Sequence, residues 1–211
     1  MSTCKQAYYD KRGVALVKAL KSRHFDAYYC QTKAEALEKA LELIPEGSTV
    51  GWGGVMSAHE LGLIDAIRQG NYNAIDRESL PPEQRGEAAI KCLTADVFLT
   101  GANGISMDGQ MVNIDGMGNR VAAIIFGPKK VLVIAGMNKV CDDLDGAIAR
   151  ARNVAAPMNQ QRFDTPNPCG ITGKCSDCKT ETCICNHIVI TRHSRPVGRI
   201  TFLLVGEDLG F

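Results

Sequence analysis

Apolar positions alternate between helical and strand spacing along most of the chain. In Tyr8–Arg23, Val14, Leu16, Val17 and Leu20 suit one face of a helix. Phe25–Cys30 then reads as a strand. Thr32 and Glu35 form a capping box at the head of TKAEALEKALELI, so a helix starts there. Ser48–Trp52 is a second strand running into Gly53-Gly54, and Ser57 is the predicted cap of a helix reaching Gln69. Asn73–Asp76 and Asp96–Thr100 are strands on either side of a helix over Pro82–Thr94. Ile105–Ile114 carries Asp108-Gly109 between short alternating stretches, the mark of a β-hairpin. A helix over Asn119–Phe126, a strand over Val131–Ala135 and a helix begun by Asp142 or Asp143 follow. His187–Arg192 and Arg199–Val205 are the last two strands. Strands alternating with helices predict an α/β fold, with a mostly parallel sheet covered on both faces. With 211 residues, no repeat and no linker, one domain spanning 1–211 is the economical reading.

Such sheets bind ligands beyond the carboxyl ends of their strands. Three stretches are predicted to lie at strand ends: Gly51-Trp52-Gly53-Gly54, Gly101-Ala102-Asn103-Gly104, and Asn113 through Arg120. Glycine lets backbone N–H groups approach an anion, and Asn113, Asp115, Asn119 and Arg120 add hydrogen bonds and one fixed positive charge. Neither GWGG nor GANG has dinucleotide spacing, and GPKK is not a phosphate loop. His59, beside the GWGG turn, is the best-placed acid–base candidate on spacing; a solvated helix-surface histidine is the plain alternative.

Charge narrows the classes further. Lys plus Arg number 24 against 23 acidic residues, so no broad basic field invites nucleic acid. No apolar run reaches the roughly 20 residues of a membrane span, and the first residues lack the apolar core of a signal peptide. The expectation is a cytoplasmic protein without nucleic-acid or membrane partners. Its oligomeric state is not written in the pattern, and a dimer is the base-rate expectation.

Nine cysteines change the picture. Cys4, Cys30, Cys92 and Cys141 are scattered, whereas Cys169, Cys175, Cys178, Cys183 and Cys185 crowd the segment 167–187. In a reducing compartment such crowding favours metal over disulfides. Cys175-Ser176-Asp177-Cys178 has the spacing that brings two thiolates to one ion, and four thiolates close a zinc site or hold an iron–sulfur cluster. Thioredoxin-like redox chemistry is disfavoured because no helical pattern surrounds the pair. Zinc, iron–sulfur and disulfides all stay open on spacing.

The stretch TGANGISMDGQMVNIDGMGNRVAAIIFGPKKVLVIAGMNK, Thr100 to Lys139, resembles the central signature of the LUD-domain family of bacterial lactate-utilisation proteins. The likeness extends from YYDKRG through STVGWGGVMSAHELG to ARNVAAPMNQQRF and LLVGEDLGF, almost the whole chain. It departs at Val55, where members often carry Ser. The resemblance implies a fold like those of ribose-5-phosphate isomerase, the coenzyme A transferases and the initiation-factor-2B-like isomerases. It implies a crevice including Gly53, Gly54, Asn103, Asp108, Asn113, Asp115, Gly118, Asn119 and Arg120, with Asp108 and Asp115 as equivalents of a catalytic carboxylate. It also implies Cys169, Cys175, Cys178 and Cys185 as metal ligands, with Cys183 the extra one. The family setting tilts the centre toward iron–sulfur and suggests iron–sulfur oxidoreductase subunits as partners. The leading expectation is a lactate or organic-acid utilisation protein that binds a small anionic metabolite and a metal centre. Alternatives are a sugar-phosphate isomerase or coenzyme A transferase-like enzyme, and a non-catalytic metal-dependent assembly module.

Overall fold

The computed structural model describes residues 3–211. Ten strands follow in chain order: β1 (Asp26–Cys30), β2 (Thr49–Trp52), β3 (Asn73–Ile75), β4 (Val97–Thr100), β5 (Gly104–Ser106), β6 (Met111–Asp115), β7 (Lys130–Gly136), β8 (Val140–Cys141), β9 (His187–Thr191) and β10 (Ile200–Val205). The helices are α1 (Thr3–Ser22), α2 (Lys33–Leu43), α3 (Met56–Glu60), α4 (Leu63–Gln69), α5 (Arg85–Lys91), α6 (Asn119–Ile125), α7 (Leu144–Arg150), α8 (Ala156–Gln160) and α9 (Pro168–Thr172).

Six strands form one wholly parallel sheet in the order β1-β10-β7-β4-β2-β3. Its central strands β7 and β10 are almost continuously apolar, as a sheet buried on both faces requires. Side chains of β7 alternate between two cores. Val131, Val133 and Ala135 pack with Leu16 and Leu20 of α1 and Ile124 of α6, whereas Leu132 and Ile134 pack with Ala36 and Ala40 of α2 and Ile64 and Ile67 of α4. The α/β expectation with helices on both faces is what the structure has.

A second sheet, β8-β5-β6-β9, was visible in the sequence only as its hairpin. The strand expected at His187–Arg192 pairs antiparallel with β6 here instead of joining the parallel sheet. Ile105 and Met111 reach back into the α1 core, while Val112 and Ile114 pack on Ala147 and Ala151. The two sheets therefore share one core.

Local chemistry explains the element boundaries. Thr32 Oγ1 accepts from Glu35 N at 3.3 Å, and Glu35 Oε2 accepts from Gln31 N at 2.9 Å, one residue before the predicted partner. The helix predicted from Ser57 to Gln69 is two, because Gly62 adopts φ +79° between α3 and α4. Ser57 is not a cap; it lies inside α3 and is buried. On α1 the buried face is Tyr9, Gly13, Leu16 and Leu20, and Val14 is turned outward. No helix among the described residues is long and apolar enough to cross a membrane.

Candidate functional site

The carboxyl ends of β2, β4 and β7 open beside the end of β6, and between them lies a cavity of about 510 Å3. Two of the glycine stretches reach it from the parallel sheet. The third arrives from the second sheet, so the crevice is a seam between sheets rather than a feature of one. The chain leaves β2 in one direction to the edge strand β3 and returns on the other side of β2 as β4. That reversal is where an open parallel sheet leaves a gap at its strand ends.

Arg120, from the first turn of α6, is the anchor of the crevice. Its guanidinium donates to Asn103 Oδ1 at 3.1 Å and to the Ile114 carbonyl, and lies 3.5 Å from Asp115 Oδ2. Burial lowers its pKa, and Asp115 works against that shift. Asp115 is itself buried and accepts from Gly118 N at 2.9 Å and Val121 N at 3.3 Å, so it both heads α6 and holds Arg120. Gly118 takes φ +86°, a conformation that favours glycine at this tight entry to the helix. Asn103 also accepts from Ile114 N at 2.8 Å, tying the two sheets together. Gly53 packs under Arg120, where a Cβ would lie 3.3 Å from its side chain, and Gly54 sits beneath Arg162.

Other expected residues fall elsewhere. Asn113 is buried behind the crevice, donating to the Gly101 carbonyl at 2.9 Å, with no partner for its own oxygen among the described residues. Asn119 lines the cavity, and its amide satisfies its neighbours when the oxygen faces Arg77 Nη1 at 2.7 Å. Asp108 lies at the hairpin turn, away from the cavity lining, ion-paired with Arg23 at 2.6 Å. Burial pushes its carboxyl up, but hydrogen bonds from Ser106 and Gln110 and the charge of Arg23 hold it below its usual range. Those contacts are the chemistry of a hairpin turn. His59 stands behind the lining, with its Nε2 at 2.9 Å from Glu78 Oε2, and reaches the cavity only through that carboxylate.

Several lining residues carried no motif. Lys139 ends the single turn after β7, is buried, and donates to Ser57 Oγ at 3.0 Å. Burial, then Arg150 and Arg120, lower its pKa to about 7, against a weaker pull from Glu60. Arg77, Arg85 and Arg162 come from separate loops and helices, and only the topology brings them to one rim. Lys139 had a usable signal, since strand-end reasoning extends to the GMNK after β7. The C-terminal residues cover this side, with Gly210 N donating to Glu60 at 2.9 Å and Asn138 Nδ2 to the Gly210 carbonyl at 3.1 Å.

The cysteine segment forms another wall. Ile184 lines the cavity and Asn186 Nδ2 donates to the Gly116 carbonyl at 3.1 Å. The loop is wound on buried Asn167, whose oxygen accepts from Thr180 and Thr182 at 2.6 and 2.9 Å and whose nitrogen donates to the Thr182 carbonyl. One helical turn, α9, precedes the Cys175–Cys178 pair, where no helix was expected. All five thiols share one locality. Burial pushes the Cys185 thiol up to about 12, and Cys183, Cys169, Cys175 and Cys178 all add to that shift. Cys178 Sγ and Cys183 Sγ stand 3.7 Å apart. Two sulfurs at zinc-ligand distance on a tetrahedral ion lie about 3.8 Å apart, a separation that this pair matches. Among the described residues, no group of three or more His, Cys, Asp or Glu side chains is set to hold a metal as it stands.

Fold and crevice together define an α/β protein with an arginine-lined cleft at the ends of its parallel strands. The chain belongs to the LUD-domain family: the family model matches residues 15–205. It is similar to a DUF162 family protein from Deinococcus radiodurans, with a TM-score of 0.53 and 11% identity over 95% of this chain and 97% of that one. Ribose 5 phosphate isomerase A from Neisseria gonorrhoeae matches 53% of this chain and 54% of its own, at TM-score 0.34 and 22% identity. For eIF2B delta from Chaetomium thermophilum the shares are 57% and 54%, at TM-score 0.38 and 17% identity. No curated protein sequence matches the chain closely enough to count as a relative.

Proposed function

We propose that this LUD-domain protein serves lactate or related organic-acid utilisation by binding a small anionic metabolite in the crevice, beside a metal centre held by the cysteine loop. The observation that carries the reading is charge. Among the side chains of the described residues, Arg77, Arg85, Arg120, Lys139 and Arg162 line the cavity against Asp115 and Glu78. Arg120 is bound up with Asp115, but Arg77, Arg85 and Arg162 make no ion pair among the described residues. A cavity of about 510 Å3 suits a small metabolite of up to about twenty heavy atoms, and its guanidinium rim suits a carboxylate or phosphate.

Cys169, Cys175, Cys178 and Cys185, with Cys183 beside them, are the groups that would hold the metal. A cluster there would supply one-electron chemistry to iron–sulfur oxidoreductase partners, whereas zinc would brace the loop. Thermal-shift measurements with L-lactate, pyruvate, ribose 5-phosphate and acetyl-coenzyme A test the crevice; at least one is expected to raise the Tm. Iron and zinc analysis after anaerobic purification tests the loop. Absence of both metals, with a Tm indifferent to every anion, contradicts the reading.

A further inference from the structure

The crevice contains a buried amine that anion binding alone does not use. Lys139 lines the cavity floor and has no carboxylate partner within ion-pair distance among the described residues. Its environment is cationic: Arg150 and Arg120 face it, Glu60 is the one carboxylate whose charge counters them, and Ser57 offers only a hydroxyl at 3.0 Å. Two glycines let the backbone lie close against the nitrogen. A Cβ on Gly210 would stand 3.1 Å from Nζ, and one on Gly101 would stand 3.7 Å away. A lysine so placed loses its proton near neutrality, with a pKa lowered to about 7 by burial first and by the two arginines next. At pH 7 the neutral, nucleophilic fraction is on the order of a thousandfold above that of an ordinary lysine.

We propose that Lys139 is a covalent attachment point for a small 2-oxo acid, forming an imine with its carbonyl carbon while the rim arginines hold its carboxylate. This deepens the anion-binding reading of the crevice and rests on it. In the step, the Nζ lone pair forms a C–N bond to the carbonyl carbon, giving a carbinolamine. The carbonyl oxygen then leaves as water with the two amine hydrogens, and C=N forms. Nothing is oxidised or reduced. Ser57 positions the amine, and the rim selects a carbonyl that carries an anionic group next to it over a simple aldehyde.

Incubating the full chain with pyruvate and sodium cyanoborohydride, followed by peptide mass mapping, tests this. One reduced pyruvyl adduct is expected, on Lys139, with labelling that rises through about pH 7. Lys139→Arg and Lys139→Met should lose it, and excess L-lactate, which has a hydroxyl in place of the ketone, should slow it in the native protein. No adduct, or one spread over surface lysines and unchanged in Lys139→Met, overturns the proposal. So does trapping of ribose 5-phosphate in place of pyruvate. Mapping on the native protein keeps the test valid even if a variant fails to fold. A Tm raised by pyruvate without any adduct overturns the imine but leaves the anion crevice standing; no shift and no adduct overturn both.

Discussion

Arg120, largely buried, and Lys139, fully buried, are two cations in one crevice, and their partners give them different fates. Arg120 has Asp115, Asn103 and a carbonyl. Removing the charge of Asp115 leaves that guanidinium buried without its counter-ion, and breaking such a pair costs about 3 kcal/mol or more. Asp115→Asn, which keeps the shape, is expected to lose about that much stability in urea denaturation; a loss below about 0.5 kcal/mol would show the pair to be incidental. Among the described residues Lys139 has the Ser57 hydroxyl as its hydrogen-bond partner and the charge of Glu60 in its favour. Below about pH 7 it is charged in both folded and unfolded chains, and its burial weighs fully on the fold. Between about 7 and the ordinary 10.5 the unfolded chain binds a proton that the folded chain does not, so stability rises with pH across that window. The slope from this one group reaches at most about 1.4 kcal/mol per pH unit. Lys139→Met should flatten it; identical pH–stability curves for the two proteins would place the native lysine's titration elsewhere.

Elements here are set by contacts that sequence spacing shows unevenly. Helix α1 was legible and so was most of its face, since Leu16, Leu20 and Val17 pack in the core; Val14 looked like core and is exposed, whereas Gly13 is core because the ring of Tyr29 lies against it. A Cβ at Gly13 would sit 2.3 Å from that ring. Alanine gains about 1 kcal/mol in helix propensity but forces overpacking that costs about 1–3 kcal/mol. Gly13→Ala is therefore expected to be destabilising in a chemical melt, and a stabilised variant would refute the close approach. The cysteine loop depends on one side chain in a similar way. Asn167→Ala removes the acceptor of two threonine hydroxyls and is expected to speed proteolytic cutting within 173–186 while leaving the parallel sheet intact. The strands of the parallel sheet were readable because buried strands are continuously apolar. Of the second sheet, the β5–β6 hairpin and β9 were readable, but their pairing into a separate sheet was not, and β8 has two residues, too few to show a period. The crevice was half legible for the same reason. Glycine stretches and Arg120 carry local signals, while Arg77, Arg85 and Arg162 are gathered only by tertiary structure.

For the whole molecule, two sheets meet at a seam, and the charges at that seam do not cancel. The parallel sheet supplies Gly54, Asn103 and Lys139, the second sheet supplies Asp115, and the cysteine loop closes one side through Ile184. Selectivity for anions is then a property of the assembly and should weaken with salt, because exposed rim arginines are screened within about 10 Å at 0.1 M ionic strength. Calorimetric titration of the native protein and of the Arg77→Ala, Arg162→Ala double variant with pyruvate and with ribose 5-phosphate tests this most directly. Saturable binding of one of these anions is expected, weaker at 0.5 M salt than at 0.05 M, and reduced at least about tenfold in the double variant, a loss of about 1.4 kcal/mol. Heats that never saturate, or an affinity the two substitutions leave unchanged, would contradict it.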